Sequence, residues 1–176
     1  MWAYGQQAAK LFDYRVHLGT NIPDIDVCAL PTPNRIMLTK RLMRHSRNAL
    51  FVAQRLQTWI SDHPSSPFEA ISFPGLLDAA RANQFYGSYL TVGFKKKFRT
   101  VPIYKRFVKL CMSYAKAYRA DLVCGSTFGT NITRVYLTAM RSVPNAPFIR
   151  IAVGTEDRQS IETISEVFVQ TLAHFR

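Results

Sequence analysis

Apolar side chains recur at spacings of three and four from residue 38 onward: Leu38, Leu42, Ala49, Val52, Ala53, Leu56 and Ile60 make one stripe. Such spacing predicts an amphipathic helix with that stripe buried. Asn34 suits its N-cap, and the helix should stop before Asp62-His63-Pro64, because proline disfavours the helical conformation of its predecessor. Arg41, Arg44, Arg47 and Arg55 fall largely off the stripe.

The period then changes. Phe68-Glu69-Ala70-Ile71-Ser72-Phe73 predicts a strand ended by Pro74-Gly75, and Ser88-Tyr89-Leu90-Thr91-Val92-Gly93-Phe94 predicts a second. Residues 102–120 return to helical spacing, with Phe107, Leu110, Cys111 and Tyr114 on a common face. Leu122-Val123-Cys124 reads as a third strand, leading into the turn Gly125-Ser126-Thr127-Phe128-Gly129-Thr130. A fourth follows at Phe148-Ile149-Arg150-Ile151-Ala152-Val153-Gly154, and a last helix over 158–175 buries Ile161, Ile164, Phe168 and Leu172. Glu156 and Asp157 suit the positive end of its dipole. Residues 1–33 hold Pro23, Pro31 and Pro33 and read as an irregular arm with a short helical piece at its start. The expected architecture is α/β: an open sheet of about four strands with helices on one face.

Composition narrows the class without naming a function. The chain has 176 residues, 48% of them hydrophobic, enough for one domain with a core. No apolar run spans a bilayer, the N-terminus lacks a basic start followed by an apolar stretch, and Cys28, Cys111 and Cys124 are few and widely spaced. A cytoplasmic protein without a membrane partner, disulfide framework or cysteine-held metal is the expectation. The histidines His17, His45, His63 and His174 show no metal spacing, and His45 on the long helix reads as a surface residue.

The formal net charge is +12, and its distribution is uneven. Residues 27–61 carry six basic side chains and no carboxylate, and residues 79–120 carry ten, including Lys95, Lys96, Lys97 and Arg99, again with none. A basic surface attracts polyanions, but no nucleic-acid motif accompanies it. Solvated helix faces, or a surface for an acidic partner, account for the charge better.

Specific strings go further. Arg44-His45-Ser46-Arg47-Asn48-Ala49-Leu50, followed by Ile71-Ser72-Phe73-Pro74-Gly75-Leu76, resembles the long helix carrying "N-A" and the strand ending "Y-P-G-L" of cystathionine γ-synthase and its relatives. Thr127-Phe128-Gly129-Thr130-Asn131 is similar to that family's "S-L-G" turn. Phe148-Ile149-Arg150-Ile151-Ala152-Val153-Gly154-Thr155-Glu156-Asp157 is similar to its closing "L-x-R-L-S-V-G-x-E-D". The stretch from Leu18 to Leu30 fits the approach to the long helix.

The resemblance is to the C-terminal domain of these pyridoxal-phosphate enzymes of cysteine and methionine metabolism. It implies the C-terminal domain of fold-type I transferases, with a mainly antiparallel sheet and a long helix that joins it to a missing large domain. Residues 34–176 would form that domain, and 1–33 the remnant of the connection. The implied function is part of a transsulfuration enzyme, synthase- or lyase-like, acting at carbon–sulfur bonds of an amino-acid substrate. Arg150 stands where the family binds the substrate α-carboxylate, and Thr127 where it has the turn serine, with Ser126 as the equivalent if the turn slips by one. Pyridoxal 5'-phosphate is the implied cofactor, not held covalently here. The family's Schiff-base lysine lies upstream in an "S-x-T-K-Y" setting, and the neighbours of Lys10, the one lysine before the matched helix, do not fit it. No catalytic residue is therefore assigned, and activity of this chain alone is not expected. A homo-oligomer or a separate cofactor-domain subunit is a possible partner. The rival readings are a non-catalytic interaction module and, further off, a basic nucleic-acid-binding domain.

Overall fold

In the computed structural model, which describes residues 35–77, 85–126, 130–138 and 148–175, the first apolar stripe becomes helix α1 (Arg35–Asp62). Its second half packs as the spacing predicts, with Ala49, Val52, Ala53, Leu56 and Ile60 buried. Its first turns do not: Leu38 and Leu42 are exposed, together with Ile36 and Met37. A helical stripe is buried only where another element covers it, and no described element covers this end. At the other end the His63 Nδ1–H donates to the Trp59 carbonyl at 2.7 Å, while its ring stacks on the Trp59 indole.

Five strands follow, β1 (Phe68–Ser72), β2 (Tyr89–Phe94), β3 (Leu122–Cys124), β4 (Thr133–Thr138) and β5 (Phe148–Ala152). The expected sheet of about four strands has five among the described residues. The addition is β4, whose sequence Thr-Arg-Val-Tyr-Leu-Thr alternates and is rich in β-branched and aromatic residues, a strand signal masked by the glycine-rich turn before it. The strand order is β1-β2-β5-β4-β3, with three antiparallel pairings and one parallel pairing, between β3 and β4. The mainly antiparallel character is as expected. Between β1 and β2 the Pro74-Gly75 stop extends into a one-turn helix, α2 (Pro74–Leu77).

Helices α3 (Val101–Tyr118) and α4 (Arg158–Ala173) complete the fold. Leu90, Val92 and Phe94 of β2, Ile149 and Ile151 of β5, and Val135 of β4 join one hydrophobic cluster with residues of α1, α3 and α4. Alternate residues point to the opposite face of a strand, where among the described helices the one-turn α2 lines a groove with Ser72, Thr91 and Gly93. The three long helices, α1, α3 and α4, share the other face, as the pattern implied. Cys111 lies in this cluster, where burial pushes its thiol pKa up to about 12.

α1 is clamped to α4 by Arg55, which donates to Ser165 Oγ at 2.8 Å and pairs with Glu166. α4 itself begins on Asp157, whose carboxylate accepts from the Ser160 backbone N–H at 2.8 Å. That bond, with the Ser160 hydroxyl next in effect, holds the Asp157 pKa below its ordinary 3.8. A depressed carboxyl pKa contributes stability above the unfolded value that is lost as pH falls through the folded value. Asp157→Asn keeps a capping oxygen without the titration, so its melting temperature should fall less than the parent's between pH 5 and about pH 2. Equal acid sensitivity of the two would exclude the cap.

Residues 36–176 constitute one compact unit. The arm expected over 1–33 and the N-cap Asn34 lie outside the described residues. Among the described residues, no helix is long and apolar enough to cross a membrane.

Candidate functional site

The sheet's second face is built from the alternate strand positions. Register places Ser72 of β1 opposite Thr91 of β2, Thr91 opposite Arg150 of β5, and Arg150 opposite Tyr136 of β4. Directly opposite residues share a face with their Cβ atoms about 5 Å apart, so three hydroxyl side chains and one guanidinium form a row across the sheet. Tyr89 and Arg134 flank it, each the register partner of Ala152. The face thus holds two arginines and two tyrosines, and its strands carry one carboxylate, Glu69, which pairs with Arg99 at the outer edge at 2.6 Å.

Arg150 is half-buried in this row, and its Nη2 donates to the Ser126 carbonyl at 2.7 Å. The structure therefore joins two of the three residues singled out in the sequence, though through the backbone of Ser126 and not its hydroxyl. Thr127 lies outside the described residues. A second arginine was not anticipated. Arg134 extends over Gly125, where an added Cβ would come within 2.8 Å of its Nη1, and its Nε donates to Thr130 Oγ1 at 3.3 Å. The signal for it was the alternation of β4, which places Arg134 and Tyr136 on the face of Arg150. A Glu156 carboxylate oxygen accepts from the Thr133 backbone N–H.

The loop after β5 explains why the motif segments travel together. His45, read from the sequence as a surface residue, is buried and its Nδ1–H donates to the Val153 carbonyl at 2.8 Å. Asn48 Nδ2 reaches the carbonyls of Gly154 at 3.3 Å and Glu156 at 3.0 Å. The Ser46 hydroxyl accepts from the Tyr86 backbone N–H at 3.0 Å, and Tyr86 in turn packs against Gly75. Thr133 Oγ1 accepts from the Gly154 N–H at 3.0 Å. The helix, Pro-Gly-Leu and closing segments are therefore one scaffold, in which α1 holds the end of the strand that carries Arg150. Buried carbonyls without partners are costly, which is why these side chains are polar in an apolar setting.

The row offers a rigid cation between hydroxyls, an arrangement suited to a carboxylate. It offers no group for covalent cofactor attachment: the five strands contain no lysine, and the described lysines lie on helices or in the turn after β2.

No protein-family model and no curated protein matches the sequence. Among solved structures, a methionine γ-lyase from Micromonospora echinospora is similar over 76% of this chain and 32% of its own, at 20% identity and a TM-score of 0.50. A putative O-acetylhomoserine (thiol)-lyase from Campylobacter jejuni, which contains N'-pyridoxyl-lysine-5'-monophosphate, is similar over 77% and 30%, at 18% identity and a TM-score of 0.50. A cystathionine γ-lyase from Lactobacillus plantarum, complexed with L-serine, covers 77% and 36% at 17% identity and a TM-score of 0.49. This chain spans about a third of the length of those proteins. The fold that the sequence resemblance implied is the fold the chain has.

Proposed function

We propose, from a chain that has the fold shared with these lyases, that it is the substrate-side domain of a pyridoxal-phosphate-dependent transsulfuration enzyme, and that Arg150 binds the α-carboxylate of a sulfur amino acid. The observation that carries this reading is the row Thr91–Arg150–Tyr136, a guanidinium fixed in mid-sheet between hydroxyls.

A guanidinium has five N–H donors in a planar fork, so donation to the Ser126 carbonyl is compatible with gripping a carboxylate. The contact at Ser126 fixes the plane of the fork, and rigid donors orient a bound group without further entropy cost. Thr91 and Tyr136 limit where the rest of the substrate can lie. Ser126 and Thr127 stay assigned to the substrate side of this site. The cofactor does not fit the described residues covalently, since the open face has no lysine, so its attachment belongs to other residues, and no step of the chemistry is assigned to this face. Its work is to bind and orient. The reaction class is replacement or elimination at a carbon–sulfur bond.

The test uses the native polypeptide that carries this chain, with pyridoxal phosphate and a sulfur amino acid such as cystathionine supplied. Loss of a charged hydrogen bond costs about 1.5–3 kcal/mol, so Arg150→Ala should raise KM about tenfold or more, and Arg150→Lys should recover part of the loss. An unchanged KM would sink the carboxylate assignment. If neither the cofactor nor a sulfur amino acid binds, the enzyme reading fails and the non-catalytic interaction module replaces it.

A further inference from the structure

Away from the sheet face, a cavity of about 730 Å³ lies between the first half of α1 and the start of α4. Four cationic side chains line it, Lys40, Arg44 and Arg47 from α1 and Arg158 from α4. Lys40, Arg44, Arg47 and Phe51 are spaced by four, three and four residues, so all four stand on one face of the helix. The two carboxylates of the lining have partners of their own, although Glu156 uses one oxygen only and its Oε2 is buried without a partner. Glu162 pairs with Arg158 at 3.0 Å, and Glu156 accepts from the Thr133 backbone N–H. Arg44 is partly engaged: its Nε donates to the Glu156 carbonyl at 3.4 Å and its charge acts on the Asp157 carboxylate, whereas no described carboxylate forms an ion pair with Lys40 or Arg47.

Like charges one turn apart on a helix repel, and this stretch of α1 contains no acid, the acids near it being Glu156, Asp157 and Glu162 of the neighbouring segment. An anion in the cavity would offset that repulsion. The seven-residue step from Lys40 to Arg47 rises about 10 Å, which suits two or three linked phosphates better than one carboxylate. The volume falls in the range of small-molecule sites. Phe51 is part-exposed on the same face, and the cavity wall continues with the apolar Ile161.

We propose that this cavity binds a small organic polyphosphate, its phosphates held by Lys40, Arg44 and Arg47 and its organic part resting on Phe51. The site is independent of the amino-acid site on the sheet.

Calorimetric titration of the full chain with inorganic pyrophosphate and with ADP, at fixed ionic strength, tests it. Saturable one-to-one binding is expected for both, with ADP tighter. Lys40→Gln combined with Arg47→Gln should weaken both ligands about tenfold or more, whereas Phe51→Ala should weaken ADP alone. Lys105→Gln combined with Lys109→Gln, on α3, should change neither. All five positions are exposed, and circular dichroism melts check that each variant folds. Absence of saturable binding overturns the proposal, as does equal weakening by the α3 pair. A single-stranded oligonucleotide that binds more tightly than ADP, and loses affinity with the same α1 variant, would overturn it in favour of a nucleic-acid surface.

Discussion

Phe94→Ala is expected to lower the unfolding free energy by about 3–5 kcal/mol, the largest effect of any substitution considered. Phe94 is 1% exposed at the end of β2, and its ring meets four others. It stands edge-on to Tyr104 at 4.9 Å and tilted on Phe68 at 4.8 Å, with Phe107 at 5.9 Å and Phe175 at 6.3 Å. These rings come from β1, β2, α3 and the residues after α4, so the cluster joins the sheet to two helices. Truncation removes the transfer free energy of the ring and leaves a cavity that rigid neighbours cannot close. Domains of this size are stable by only about 5–15 kcal/mol, so the alanine variant should approach the limit of folding. Phe94→Leu, which leaves a smaller void, keeps the series measurable. Urea denaturation midpoints provide the readout, with Phe85→Ala, at a half-exposed ring, as the reference. A loss for Phe94→Ala no greater than for Phe85→Ala would exclude the cluster as the organising core.

Gly154→Ala should cost about 3 kcal/mol, at the upper end of the usual overpacking range. A Cβ there would sit 2.3 Å from the carbonyl oxygen of Asn131 and 2.6 Å from its carbon. Both are backbone atoms, so no side chain can swing away to make room. Asn131 is held in place by Thr155, whose N–H donates to the Asn131 carbonyl at 2.9 Å and whose hydroxyl donates to Asn131 Oδ1 at 3.1 Å. Relief requires the turn before β4 to part from the loop after β5, which breaks those bonds and strains the Gly154 N–H bond to Thr133. Gly87→Ala is the useful contrast: its φ of +90° disfavours a side chain, but nothing stands within 4 Å. That backbone penalty amounts to about 1 kcal/mol. Thermal melts that rank the two variants the other way round would refute the steric argument.

His45, Asn48, Gly75 and Gly154 lie in the quoted motifs, yet each acts in packing or in holding a carbonyl. The strings that made the fold recognisable are therefore largely scaffold residues, and among them Ser72 and Arg150 lie on the open face. A scaffold motif transfers fold from one protein to another more securely than it transfers a reaction, because chemistry resides in the site and not in the frame.

Some of the structure was legible locally. α1, α3 and α4 appeared with ends within a residue or two, and β3 with its three residues, since the period of apolar positions depends only on chain neighbours. The errors share a cause. Leu38 and Leu42 belong to the stripe by spacing but are not buried, because spacing says which face could be covered and not whether anything covers it. His45 reads as polar and hence external, until the Val153 carbonyl beside it supplies a partner. β4 alternates correctly, but its membership of the sheet required β5 as a neighbour.

The sequence by itself determined the three long helices, four of the five strands among the described residues, and the placing of the α1 arginines off its apolar stripe. Only the tertiary structure decided the order β1-β2-β5-β4-β3, which sets Arg150 between Thr91 and Tyr136 and brings Arg134 to the same face. The reason is physical. Helical and strand periods come from torsions and side chains close in the chain, whereas a pairing partner is selected by burial and hydrogen bonding across segments distant in sequence. Thr91 and Arg150 are 59 positions apart, and no local pattern could have placed them side by side.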